Sequence, residues 1–280
     1  SMLSSPTALA VDETTEEVVV VDGVMCTITI LSPTNGWKAI GSKPLQVGPL
    51  KSPHGVALDP LHKGNIVIAD TGFHCVHVLS TISEKIILTI GTLDKKGSQD
   101  GEFQNPFGVA VDPKTGNIIV SDTGNHRVQI FSPEGAFIRK FGEFGEKDGQ
   151  FRSPKGIVVA VGLRPWSPEA HRDYPEEFKD IVKAMLMMAL LDSDTPIHPE
   201  APWHLLPMEL MFQIIILLST QYNNVGEIIV ADADNHRIQI FSTEGKWRAT
   251  INGPAGDTRA VAVSANRIIV PDGTRVKVYA

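Results

Sequence analysis

Residues Pro106–Gly142 read PFGVAVDPKTGNIIVSDTGNHRVQIFSPEGAFIRKFG, and the chain carries this stretch more than once. Pro53–Gly91 repeats it, opening PHGVALDPLHKGNIVIADTGFHCVHVLS. Gly226–Ile251 repeats its second half, GEIIVADADNHRIQIFSTEGKWRATI. Pro6–Gly41 is a worn copy and Thr258–Tyr279 a shortened one. A period of this size marks one supersecondary unit that cannot bury its own apolar faces and must stack on its neighbours.

Each copy reads as four short strands. Gly108–Asp112 is apolar enough for an inner strand, and Asp112–Asn117 turns, with Pro113 setting φ and Gly116 accepting a positive one. Asn117–Asp122 is β-rich, Arg127–Phe131 alternates, Ser132–Gly135 turns, and Ala136–Phe141 closes the unit. Antiparallel strands joined by turns and repeated radially predict an all-β chain folded as a β-propeller. Five blades are expected: residues 6–41, 53–91, 106–142, 154–160 joined to 226–251, and 258–279. A truncated six-bladed ring is the alternative.

The signature resembles the NHL repeat, carried by Asn125-His126-Arg127 and Asn235-His236-Arg237. An Asp also lies ten residues before a Ser in four copies: Asp22–Ser32, Asp70–Ser80, Asp122–Ser132 and Asp232–Ser242. The resemblance covers the chain outside residues 161–223. Two copies depart from it, with Met25-Cys26-Thr27 and Phe73-His74-Cys75 at the Asn-His-Arg position. The NHL domains of tripartite-motif proteins are similar, but the RING and B-box modules of that group are not found here.

The template Pro and Asp stand 16 or 17 residues apart in the first three copies, whereas Pro154 and Asp232 stand 78 apart. The propeller is therefore expected to comprise residues 1–160 and 224–280. Residues 161–223 form an insertion in the fourth blade, on the face opposite the Asn-His-Arg loops. There the hydrophobic period lengthens to that of a helix. Tyr174–Leu191 opens with Asp173 as N-cap and Glu176 at the capping-box position. Leu206–Ser219 starts with Pro207 near N1. Both are apolar almost all round in their second halves, so an α-helical hairpin must be covered by the propeller or by a partner. Met185, Met188, Leu206, Leu210 and Ile214 are its candidate docking residues. Leu206–Leu218 is similar to the first helix of an F-box, and an Elongin-binding box shares its layout, which implies a ubiquitin-ligase substrate receptor.

The 280 residues carry a net charge of −7, and residues 161–223 alone hold four Lys/Arg against nine Asp/Glu. A strongly basic stripe, the footprint of generic nucleic-acid binding, is absent from these totals. No run of 18 or more uncharged apolar residues suggests a membrane span. Cys26 and Cys75 read as reduced thiols of a cytoplasmic protein.

Residues just after the template Pro are expected to ring the channel mouth: Thr7, His54, Phe107, Lys155 and Arg259. The related amidating lyase propeller holds a metal with histidines from such positions, yet only His54 is present here, and one imidazole makes no zinc site. Channel-facing carboxylates for calcium, a nucleophile elbow and a phosphate loop are also missing. No cofactor, metal, small-molecule substrate or catalysis is therefore expected. The candidate top-face binding residues are His54, Phe73, His74, Phe107, Asn125, His126, Lys155, Arg237, Arg259 and Arg275. Aromatic and cationic groups together suit a protein or peptide partner, with single-stranded RNA as the alternative. The reading at this level is a non-enzymatic interaction module or scaffold.

Overall fold

Runs such as Ile66-Val67-Ile68-Ala69 and Ile118-Ile119-Val120 are apolar on successive residues, which requires cover on both faces of the strand. In the computed structural model this cover comes from neighbouring sheets. The structure describes residues 5–12, 15–32, 36–40, 50–161, 226–252, 262–264, 267–272 and 275–279. The first sheet pairs β1 (Pro6–Asp12), β2 (Glu17–Asp22), β3 (Thr27–Ser32) and β4 (Gly36–Ile40) in that order. The second pairs β5 (Pro53–Leu58), β6 (Asn65–Asp70), β7 (Cys75–Ser80) and β8 (Lys85–Ile90). The third consists of β9 (Pro106–Val111), β10 (Ile118–Asp122), β11 (Arg127–Phe131) and β12 (Phe137–Phe141). The fourth consists of β13 (Pro154–Val161), β14 (Gly226–Asp232), β15 (Arg237–Ser242) and β16 (Trp247–Asn252). Every pairing is antiparallel between consecutive strands, the meander of a propeller blade.

The last unit is a three-stranded sheet of β17 (Ala262–Ser264), β18 (Arg267–Asp272) and β19 (Arg275–Tyr279). The expectation of five blades is thus corrected. Four blades are complete, and the fifth repeat supplies inner, second and third strands with no fourth among the described residues.

Inner strands β1, β5, β9, β13 and β17 touch in sequence order, which lays the sheets side by side. The core consists of layers between blades. One joins Val19, Val21 and Ile28 to Ile66, Ile68 and Leu79; the next joins Val67, Val76 and Val78 to Val120 and Phe131. A third joins Ile119, Val128 and Ile130 to Ile228, Val230 and Phe241. Strand β11, expected to alternate, is buried at every position for the same reason. Among the strands whose exposure is described, exposed residues fall on the outer strands β8, β12 and β16.

The chain leaves β13 at Val161 and rejoins β14 at Gly226, two residues that pair with each other. This end of the blade is opposite the Asp232–Arg237 corner, since Asp232 pairs with Pro154 at the other end. The helices expected over 174–191 and 206–219, and with them Met185, Met188, Leu206, Leu210 and Ile214, lie outside the described residues. Among those that are described, no helix is long and apolar enough to cross a membrane.

Candidate binding face

The Asn-His-Arg corners are built around a buried carboxylate. Asp122 is fully buried and receives Arg127 Nε at 2.8 Å, Asn125 Nδ2 at 2.9 Å and Gln129 Nε2 at 3.1 Å on Oδ2. The Gln104 N–H donates to Oδ1 at 2.8 Å. Burial raises the Asp122 pKa even so, because desolvation outweighs these donors. Between carboxylate and guanidinium the chain makes a 3₁₀ turn, Thr123–Asn125, and closes with His126 in the left-handed region at φ 55°. Blade four repeats the arrangement: Arg237 Nε lies 2.7 Å from Asp232 Oδ2, and Asn235 and Gln239 donate to the same oxygen.

What these arginines hold is the loop leading into their own blade. Arg127 donates to the carbonyls of Ser98, Gln99 and Glu102, and Arg237 to those of Glu146, Lys147 and Gln150. Gly101 N–H and Gly149 N–H donate to the side-chain oxygens of Gln129 and Gln239. Each loop then drops a wholly buried ring, Phe103 or Phe151, into the inter-blade layer. Sequence reasoning missed these loops, although Gly97-Ser-Gln-Asp-Gly-Glu-Phe103 and Gly145-Glu-Lys-Asp-Gly-Gln-Phe151 carry the same Gly-x-x-Asp-Gly-x-Phe pattern.

Blade two replaces the arginine and glutamine with Cys75 and His77. The buried Asp70 is satisfied by the N–H groups of Lys51, Ser52 and Phe73. Cys75 Sγ lies 3.3 Å from His77 Nε2, and His77 Nδ1 lies 2.9 Å from Thr89 Oγ1, a pattern that a neutral thiol and neutral imidazole satisfy. Burial, helped by the Asp70 charge, pushes the Cys75 thiol up to about 12. Burial also holds His77 below its ordinary value, against the pull of Asp70. Cys26 and Cys75 are both free thiols, as expected.

The channel mouth has its own geometry. The register of the inner strand slips by a bulge just after Pro6, Pro53, Pro106 and Pro154. Thr7, His54, Phe107 and Lys155 therefore stand off the ladder, where a bulge re-aims a side chain. The His54 and Phe107 rings lie 4.7 Å apart, and Lys155 Nζ stands 5.8 Å from the centre of the Phe107 ring. His54 Nδ1 donates to the Ser52 carbonyl at 3.0 Å, which leaves Nε2 as an acceptor. Blades meet closely beneath this row: a Cβ on Gly108 would come 2.2 Å from the Lys155 carbonyl, and one on Gly55 2.4 Å from that of Phe107. Ser121 Oγ bridges the gap, accepting from Gly108 N–H at 2.7 Å and donating to the Lys155 carbonyl at 2.6 Å.

The structure brings together His54, Phe107 and Lys155 in this way. Phe73 lies beside them on the same face under Lys51 Nζ, 5.3 Å from its ring centre. His74 and His126 sit at the corners and accept backbone N–H groups of Asn105 and Ser153 at Nδ1. His126 also meets the exposed Phe144 edge-on at 4.9 Å. Two members of the expected set are corrected. Arg237 is buried with all three guanidinium nitrogens engaged, and the Asn125 amide nitrogen is spent on Gly97 O and Asp122, so neither offers a side-chain donor to a ligand. Arg259, and the side chain of Arg275, lie outside the described residues. Exposed apolar groups that sequence reasoning passed over share this face: Met25, Leu93 and Phe144, at 55%, 55% and 64% exposure. Met25 and Phe144 were visible as apolar residues at positions where the template or the loop is otherwise polar.

Comparison with known proteins agrees with the corner geometry. The family model described as NHL repeat matches residues 103–131 and 222–241. Those two stretches are NHL repeats. The NHL propeller is similar to peptidyl-glycine alpha-amidating monooxygenase A of Xenopus laevis, with 38% identity over 112 residues, covering 38% of this chain and 12% of that protein. Protein brain tumor of Drosophila melanogaster is 48% identical over 63 residues, 22% of this chain and 6% of its own length. Human E3 ubiquitin-protein ligase NHLRC1 is 37% identical over 59 residues, 21% of this chain and 15% of its own length. The chain thus aligns with a small part of each. The expectation of a chain without catalysis is corrected by the first likeness, which is to a protein named as an enzyme and is the longest of the three.

Proposed function

We propose that this NHL propeller is a recognition module that holds an extended segment of a partner protein across the face bearing the Asn-His-Arg corners. The observation that carries this reading is the off-ladder row His54–Phe107–Lys155, continued outward by exposed Met25, Leu93 and Phe144. Apolar rings and side chains with a few polar groups between them suit a peptide, whose side chains alternate along an extended backbone. Loops clamped by Arg127 and Arg237 present that surface at a reduced ordering cost on binding. The test is capture of displayed peptides by the intact chain and by a Phe107→Ala/Phe144→Ser variant. Capture that survives both substitutions overturns the assignment of the face.

Single-stranded RNA is a second reading, favoured by Lys155 above the Phe107 ring, an arrangement that stacks a base and meets its phosphate. Absence of binding to single-stranded RNA pools at low salt removes it. A substrate-receptor role through residues 161–223 is a third element of the proposal, supported by the position of Val161 and Gly226 away from the binding face. Pull-down of a ligase adaptor with and without residues 165–222 tests it.

A further inference from the structure

We propose that the mouth row selects a carboxylate with an aromatic or apolar neighbour, so that the partner segment is an acidic-apolar peptide seated on Lys155, Phe107 and His54. This rests on the peptide reading above and sharpens it. Lys155 is half-buried, its ammonium lies over the Phe107 ring, and it has no carboxylate within ion-pair distance among the described residues. Three other cations differ in this respect: Lys51 lies 2.6 Å from Asp94, Lys140 2.6 Å from Asp100 and Arg152 3.8 Å from Glu146. An ammonium without a counter-charge gains more from an incoming anion than one already paired.

The row limits what that anion can be. Among the described members of the row, Lys155 is the one cation, beside Thr7, His54 and Phe107. The Thr7 hydroxyl is already donated to the Pro53 carbonyl at 2.8 Å, and His54 presents an acceptor. Beyond about 8 Å other charges are screened at physiological ionic strength, so a single carboxylate feels mainly Lys155. A polyanion extends further, over a chain of net charge −7. The tilted His54–Phe107 pair beside the ammonium offers a ledge for a ring or branched side chain adjacent to the carboxylate.

The experiment is selection of a randomised displayed octapeptide library on the intact protein. The selected peptides are then titrated, each against its Asp→Asn or Glu→Gln twin, with a twelve-residue oligouridylate as the polyanion arm. The expected result is enrichment of Asp or Glu next to an aromatic or apolar residue. Each acidic peptide should bind about tenfold more tightly than its amide twin, as a charge-assisted hydrogen bond implies. That difference should vanish in Lys155→Met and persist in Lys147→Met. Peptides that bind equally well with and without the acid overturn the carboxylate claim while leaving the peptide reading intact. Failure to enrich any peptide overturns both, as does tighter binding of oligouridylate than of every peptide.

Discussion

His126 Nδ1 accepts the backbone N–H of Ser153 at 3.0 Å, so the corner of blade three holds the residue that precedes the first strand of blade four. His74 does the same for Asn105 at 3.2 Å, one blade earlier. Donor and acceptor residues all have positive φ: His74 56°, Asn105 51°, His126 55° and Ser153 54°. The histidine of the motif is thus a fastener between successive blades, and it works only while Nδ1 keeps its lone pair.

Acid should loosen blade two first. Burial lowers the pKa of both His74 and His77 below the ordinary 6.5, with Lys96 and Lys51 adding to the effect at His74 and Asp94 and Asp70 opposing it; Asp70 also opposes it at His77. For a depressed histidine the unfolded chain binds the proton first. The stability is therefore fully present above about pH 6.5 and is lost as pH falls through the folded-state value. Thermal unfolding should show a lower midpoint at pH 5 than at pH 7.5. His74→Asn/His77→Gln should shrink that difference, and an unchanged difference would refute the assignment.

Arg127→Met should be among the most damaging single changes. It leaves Asp122 buried without its guanidinium and frees the carbonyls of Ser98, Gln99 and Glu102. Removing one member of a buried pair costs about 3–5 kcal/mol. Adding Asp122→Asn should recover part of the loss, because the uncompensated charge is then gone. Denaturant midpoints for the single and double variants measure the coupling.

Gly108→Ala should destabilise by about 1–3 kcal/mol, the usual range for overpacking. Its Cβ would sit 2.2 Å from the Lys155 carbonyl, a backbone atom that can move only with β13. Gly101→Ala, with nothing within 4 Å of its Cβ, tests conformation alone at φ 83° and should cost less. Equal losses at both sites would mean that the blades are not in such close contact.

Thiol chemistry should separate the two cysteines. Cys75 is fully buried and its thiol is pushed to about 12, so the thiolate is scarce and inaccessible. Cys26 is partly exposed, though burial and the nearby Asp70 and Asp22 charges raise its value too. Alkylation at pH 8 followed by mass spectrometry should modify Cys26 slowly and Cys75 only in denaturant. Rapid labelling of Cys75 in the native protein would show that the blade-two network opens.

Much of the fold was legible because a repeat declares itself. Asp22, Asp70, Asp122 and Asp232 recur at one place in the template, and all four are fully buried at the corners. The Asp–Arg pairs of both Asn-His-Arg corners stand at one spacing, Asp122 to Arg127 and Asp232 to Arg237. What escaped was the purpose of the arginine, because its partners are backbone carbonyls, which carry no residue identity. For the same reason Arg237 read as a surface cation when its guanidinium is consumed inside. The last repeat already read as a shortened copy, and the sheet it forms has three strands among the described residues; what failed was counting it as a blade, because a blade depends on strand pairing.

The slip in register at the start of each inner strand separates two jobs that most strands must combine. Thr7, His54, Phe107 and Lys155 occupy equivalent places, yet they are a hydroxyl, an imidazole, a phenyl ring and an amine, and the sheet beneath them is the same each time. Chemistry at the rim can therefore diverge from blade to blade while the architecture stays still. An engineer could rewrite those four letters to recruit a new ligand without redesigning the wheel that carries them.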